Sequence, residues 1–173
     1  VCLMEFTELF LEQLETEADR TRRTLEKVPE GRDDWKPHDK SMPLGYLTML
    51  VARLPSWIGL IINKDELDLN PPDGKSNVDT RPLRNASELI AAMDEGVAQS
   101  REALKNTNAA HLMKPWRLLV SGKVVSEDLR YKVIRDTFMH LSHHRAQLGV
   151  YLRMNDLPVP AVYGPSADDK SFA

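Results

Sequence analysis

Three of the chain's five histidines fall in Met139-His140-Leu141-Ser142-His143-His144-Arg145. On a helix turning 100° per residue, His140 and His144 lie about 40° apart on one face. An i, i+4 histidine pair can offer two imidazole nitrogens to one metal ion, as helical zinc sites do. Without a metal, the same imidazoles are acid–base groups that titrate near neutral pH. Asp136, Gln147 and Tyr151 continue the stripe. His143 points roughly 60° aside, and His143 and Arg145 read as surface or edge residues.

A polar stripe of this kind is costly to bury unless each group finds a partner. The same segment carries an apolar face of Ile134, Phe138, Leu141, Leu148 and Leu152 for its core contact. The stripe is therefore expected to line a cavity between helices. The blander alternative has the histidines hydrogen-bonded in the core or half exposed, with no ligand.

The elements that must hold this stripe are legible as periodic segments. Phe6, Phe10, Leu14, Ala18, Thr21 and Leu25 recur every three to four residues, which predicts an amphipathic helix from Phe6 to about Lys27. A polar loop over 28–42 carries Trp35 and His38. A second helix, apolar on most sides, is expected from Pro43 to Asn63, with Ser41 as its cap and a kink at Pro55. Residues 64–84 read as a surface connection. Asn85 with Glu88 has capping spacing for a third helix ending near Asn106. Trp116 to Val125 reads as a short β-hairpin around Ser121-Gly122. A fourth helix runs from about Glu127 to Met154, followed by a proline-containing tail. The expectation is one all-α domain over 1–173, a four-helix bundle with a small β-hairpin before the last helix.

Composition narrows the function. With 23 Lys and Arg against 26 Asp and Glu, the net charge is −3, which argues against nucleic-acid partners. No apolar stretch reads as a membrane span, and the first residues do not read as a signal peptide. The single cysteine, Cys2, points to a reducing cytoplasm and is a weak nucleophile candidate. No glycine-rich phosphate loop is present.

The run from Asp136 through His140, His144 and Gln147 to Arg153, followed by Pro158-Val-Pro160 and Tyr163-Gly164-Pro165-Ser166, resembles the C-terminal signature of the DinB-like (DinB/YfiT-related) superfamily. Trp35-Lys-Pro37-His38, Leu44-Gly45-Tyr-Leu47 and Leu54-Pro55-Ser-Trp57 match upstream in order and spacing. The resemblance spans nearly the whole chain. It implies a bundle in up-down-down-up order, often a homodimer. It also implies a divalent metal, zinc or nickel, held by three histidines. His140 and His144 match two of them. The third position, on the second helix, is Leu50 here, and no histidine lies on that helix.

Leucine cannot ligate a metal, and losing one protein ligand of three weakens affinity steeply. Asp136 or His38 are the candidates to substitute. The expected function is therefore a degenerate two-histidine site that binds a small ligand without metal, with Asp136, Gln147, Tyr151, Trp57 and His38 around it. The alternative is a divalent-metal-dependent transferase or hydrolase, thiol-transferase-like, using His140 and His144. A third reading is an interaction module whose histidines are satisfied internally.

Overall fold

A computed structural model of the chain describes residues 5–74, 78–79 and 81–171, so Cys2 lies outside the described residues. Four long helices dominate: α1 (Phe6–Leu25), α2 (Leu44–Asn63), α3 (Ala86–Lys105) and α5 (Arg130–Met154). Between α3 and α5 come a short α4 (Ala109–Leu112) and the strands β2 (Pro115–Val120) and β3 (Lys123–Leu129). A further strand, β1 (Glu66–Asp68), follows α2. The expected hairpin is thus part of a three-stranded sheet ordered β1-β2-β3, with β1 parallel to β2 and β2 antiparallel to β3. Its turn places Ser121 at φ 52° and Gly122 at φ 76°, the left-handed pair that a two-residue hairpin loop requires.

Helix ends differ from the sequence expectation in small, explicable ways. Helix α2 is capped by Pro43 with no side-chain bond, so Ser41 is not its cap. Asn85 does cap α3, accepting from the Glu88 N–H at 2.9 Å. Helix α5 begins three residues later than expected because β3 extends through Leu129. On α1 the buried set is Phe10, Leu14, Glu17, Thr21, Thr24 and Leu25, while Phe6 is exposed.

Helix α2 is the central element, packed on both α3 and α5. By length and composition it passes for a membrane span, which corrects the expectation that no stretch does. Most of it is instead buried inside the bundle. It lies close to α3 along a seam of small residues. The Ser100 hydroxyl accepts from the Gly59 N–H at 2.9 Å and donates to the Pro55 carbonyl at 2.6 Å. Those two backbone groups, four residues apart, are the natural partners in an unbroken helix. Proline inside the helix thus coincides with a side chain inserted into the hydrogen-bond ladder. The helix nevertheless continues to Asn63.

The end of α2 is tied to the start of α5 by Arg130, whose side chain is 1% exposed. Its guanidinium donates to the carbonyls of Ile61 at 3.1 Å, Lys64 at 3.3 Å and Pro115 at 2.8 Å, and pairs with the Asp65 carboxylate. Orphan carbonyls at a helix C-terminus are satisfied here by a cation, which also suits the negative end of the helix dipole.

Candidate functional site

The histidine pair forms on α5 as its spacing requires. The Nε2 atoms of His140 and His144 lie 2.8 Å apart. His144 Nδ1 is 2.8 Å from Gln147 Oε1, and Gln147 Nε2 is 3.1 Å from His143 Nε2. One set of neutral tautomers satisfies all three contacts. His144 Nδ1–H donates to the Gln147 amide oxygen, which leaves His144 Nε2 as an acceptor. His140 Nε2–H donates to it, and the Gln147 amide donates to His143. The result is a directed chain from His140 through His144 and Gln147 to His143.

Burial grades along this chain. His144 is buried, Gln147 half-buried, and His140 and His143 exposed. The inner edge of His140 is shielded: the Trp57 ring from α2 meets it edge-on at 6.3 Å, and the His144 ring lies at 4.6 Å. Desolvation, followed by the neighbouring His144 and His143, holds the His140 pKa below the ordinary histidine value.

Two cavities are lined by residues that touch the pair. One, of about 420 Å³, is lined by Gln147 and Tyr151 together with Lys40, Ser41, Met42 and Val150. The other, of about 320 Å³, has Trp57 in its wall. Neither is lined by His140 or His144 themselves.

Other expected site residues are placed differently. The Asp136 carboxylate pairs with the adjacent Arg135 at 3.1 Å and is 62% exposed. His38 is exposed, its Nδ1 accepting from the Lys40 N–H at 3.1 Å, which closes a local turn. The Tyr151 hydroxyl donates to the Met42 carbonyl at 3.1 Å, and its ring packs edge-on against Trp35 at 5.4 Å. Leu50 is half-buried and packed against the core. Arg145 is not a surface residue: it is buried against Glu17 of α1.

A metal held by three protein ligands does not fit this donor set. Among the described residues, no group of three or more His, Cys, Asp or Glu is placed to hold a metal ion. Two nitrogens converge, but Leu50 offers nothing and neither Asp136 nor His38 approaches.

The sequence reading missed Arg53. It is the one charged residue on an otherwise apolar twenty-residue helix, and that isolation was the available signal. Its side chain lines the cavity behind Trp57.

The fold is that of solved DinB-like proteins, and the sequence resemblance is matched at this level. A DinB-like protein from Bacillus cereus ATCC 10987 superposes with a TM-score of 0.67 at 18% identity, covering 89% of this chain and 95% of that one. A putative DinB family member from Exiguobacterium sibiricum 255-15 gives 0.63 at 15% identity, covering 90% and 95%. A DinB-like protein from Bacillus subtilis gives 0.63 at 14% identity, covering 86% and 92%. In sequence, the chain is 23% identical over 161 residues to the uncharacterized protein YrdA of Bacillus subtilis (strain 168), covering 92% of this chain and 89% of YrdA. No family model matches the chain.

Proposed function

We propose that this chain is a DinB-like domain whose site has become a two-histidine remnant, binding a small ligand through a neutral, hydrogen-bonded histidine pair rather than through a resident metal. The observation that carries this reading is the 2.8 Å approach of His140 Nε2 to His144 Nε2. The two nitrogens satisfy each other, as donor and acceptor, instead of both offering lone pairs outward. Two nitrogens bound at about 2.0–2.1 Å to a tetrahedral zinc stand roughly 3.3 Å apart, so the pair would have to open and give up its hydrogen bond.

Leu50 supports the same reading. It lies seven residues, two helical turns, before Trp57, so it shares the face of α2 that meets His140. An apolar side chain there dries the corner where a third ligand belongs and raises the cost of a charged ion. His140, exposed on one side and with a depressed pKa, is the group that a ligand meets first. As a neutral imidazole whose Nε2–H is given to His144, it has Nδ1 left to accept one hydrogen bond or take a proton in acid–base chemistry. Cytoplasmic location, up-down-down-up order and a homodimer complete the reading by analogy with the DinB-like fold.

One feature favours the second reading, a divalent-metal-dependent transferase. Gln147 accepts the Nδ1–H of His144, the arrangement that orients metal-bound imidazoles elsewhere. Metal analysis of protein purified without a histidine tag separates the two. The first reading expects no stoichiometric zinc or nickel and no rise in Tm on adding either. A tightly held metal that is lost in His144→Ala would overturn it.

A further inference from the structure

Asp79 and Arg81, ahead of α3, lie against Arg53, which sits in the middle of α2 with its side chain 10% exposed. Nη2 of Arg53 donates to the Arg81 carbonyl at 2.7 Å and meets Asp79 Oδ2 at 3.1 Å. Asp79 is also gripped from the other side. The Arg81 N–H donates to it at 2.9 Å, and the Arg81 guanidinium approaches both carboxylate oxygens at 2.8 to 3.1 Å. The Asp79 carboxylate therefore sits between two guanidinium groups. Nη1 of Arg53, by contrast, is buried and has no hydrogen-bond partner among the described residues. An unmet donor on a buried cation is costly, and native proteins seldom keep one without a use. The space beside it is the cavity of about 320 Å³, walled by Ser56, Trp57, Glu95 and Gln99, with Ala92 on the α3 side.

We propose that Arg53 and Arg81 form a subsite for the oxyanion of a small ligand, a carboxylate or phosphate, and that Asp79 occupies the anion position until the ligand displaces it. A guanidinium matches an oxyanion best through two parallel N–H bonds. Asp79 engages only Nη2 of Arg53, so an oxyanion spanning Nη1 and Nη2 would satisfy the arm that is now unmet. The Asp79 side chain is 42% exposed and can swing out to solvent, while the Arg81 side chain, 85% exposed, is free to stay on the incoming oxyanion in its place. The cavity is at the small end of the range for ligand sites. The Glu95 carboxylate in its wall disfavours a second negative charge, which selects ligands with one anionic group. Trp57 separates this subsite from His140, and binding here does not depend on any chemistry at the histidine pair.

The test titrates the whole protein with inorganic phosphate and, separately, with propionate, at ionic strength held constant with sodium chloride. Calorimetry and tryptophan fluorescence read the binding. Asp79→Asn, which removes the resident carboxylate, is expected to bind one of the two probes saturably and about tenfold more tightly than the wild type. Arg53→Lys, and Ala92→Phe, which fills the cavity without touching a charge, are each expected to lose that binding by at least tenfold. Preference between the probes identifies carboxylate or phosphate as the ligand's group. No saturable binding of either probe by Asp79→Asn would overturn the proposal. So would binding that Ala92→Phe leaves unchanged when added to Asp79→Asn.

Discussion

Arg145 of α5 and Glu17 of α1 form an ion pair inside the bundle, 2.5 Å apart, with side chains 2% and 3% exposed. Around it, Gln13 and Arg20 donate to the second Glu17 oxygen at 2.9 and 2.8 Å, and Arg145 also reaches the hydroxyls of Thr21 and Tyr163. Removing Arg145 leaves the buried Glu17 with Arg20 as its remaining cation, and removing Glu17 leaves the buried Arg145 charge with hydroxyl partners in place of a carboxylate. Arg145→Met or Glu17→Met alone is expected to cost about 3–5 kcal/mol in urea unfolding. The double variant should recover most of that loss, because an apolar pair of similar volume replaces a desolvated one. Equal additive losses would show that the two side chains are not coupled.

His140 gives a pH dependence with a definite sign. Its folded-state pKa is depressed, chiefly by desolvation. Below about pH 6.5 the unfolded chain takes up a proton that the folded chain resists. Stability from this group is therefore complete above the unfolded value and declines as pH falls through the window beneath it. Urea unfolding at pH 8 and pH 5.5 should show a drop that shrinks in His140→Asn. A proton-NMR titration of the His140 ring should place its midpoint below that of an unfolded peptide histidine.

Leu50→His tests the geometry of the missing corner. If Leu50 occupies the third ligand position, the variant supplies a third imidazole to His140 and His144. Zinc should then raise Tm in Leu50→His and leave the wild type unmoved, the shift growing with metal concentration as ligand-linked stabilisation requires. No gain would mean that Leu50 does not face the pair.

The seam between α2 and α3 makes a steric prediction. A Cβ on Gly96 would stand 2.9 Å from the Ser56 Cβ and 3.1 Å from the Ser56 backbone nitrogen. Gly96→Ala should destabilise the protein by about 1–3 kcal/mol through overpacking, although alanine is the better helix former. Gly149→Ala is the control. Its Cβ would meet only Val159, at an ordinary 3.7 Å, and thermal unfolding should show no loss.

Much of the framework was legible because long amphipathic or apolar helices announce themselves by period. The Asn85 cap, the Ser121-Gly122 turn and the His140–His144 pair are local features fixed by spacing of four residues or fewer. Strand β1 was not legible. It has three residues, one of them buried, and it exists only because Leu67 pairs in register with Leu118 far along the chain. The burial of Arg145 was hidden for a related reason. A charged residue on a helix reads as solvated until a partner is found, and Glu17 lies 128 residues away. The stripe Phe10, Leu14, Glu17 and Thr21 held a clue, since Glu17 falls on the buried face.

At the candidate site, the residues bound to one another within a single turn were the readable ones. Gln147 is three residues from His144 and was expected beside it. Asp136 shares the stripe, but its neighbour Arg135 offers a nearer charge, and a carboxylate at the helix surface takes that contact. His38 comes from a loop, where direction depends on turns that residue spacing does not encode.

Arg130 has a consequence for the site that it never touches. It pins the start of α5 to the end of α2, while Trp57 on one helix and His140 on the other meet ten residues further along α5. Ten residues of helix span about 15 Å. The clamp is thus the fulcrum of a long lever, and a tilt of a few degrees there moves the His140 ring by the better part of an ångström. The alignment of the tryptophan with the imidazole is set at a distance, by a guanidinium holding carbonyls at the far end of the helix.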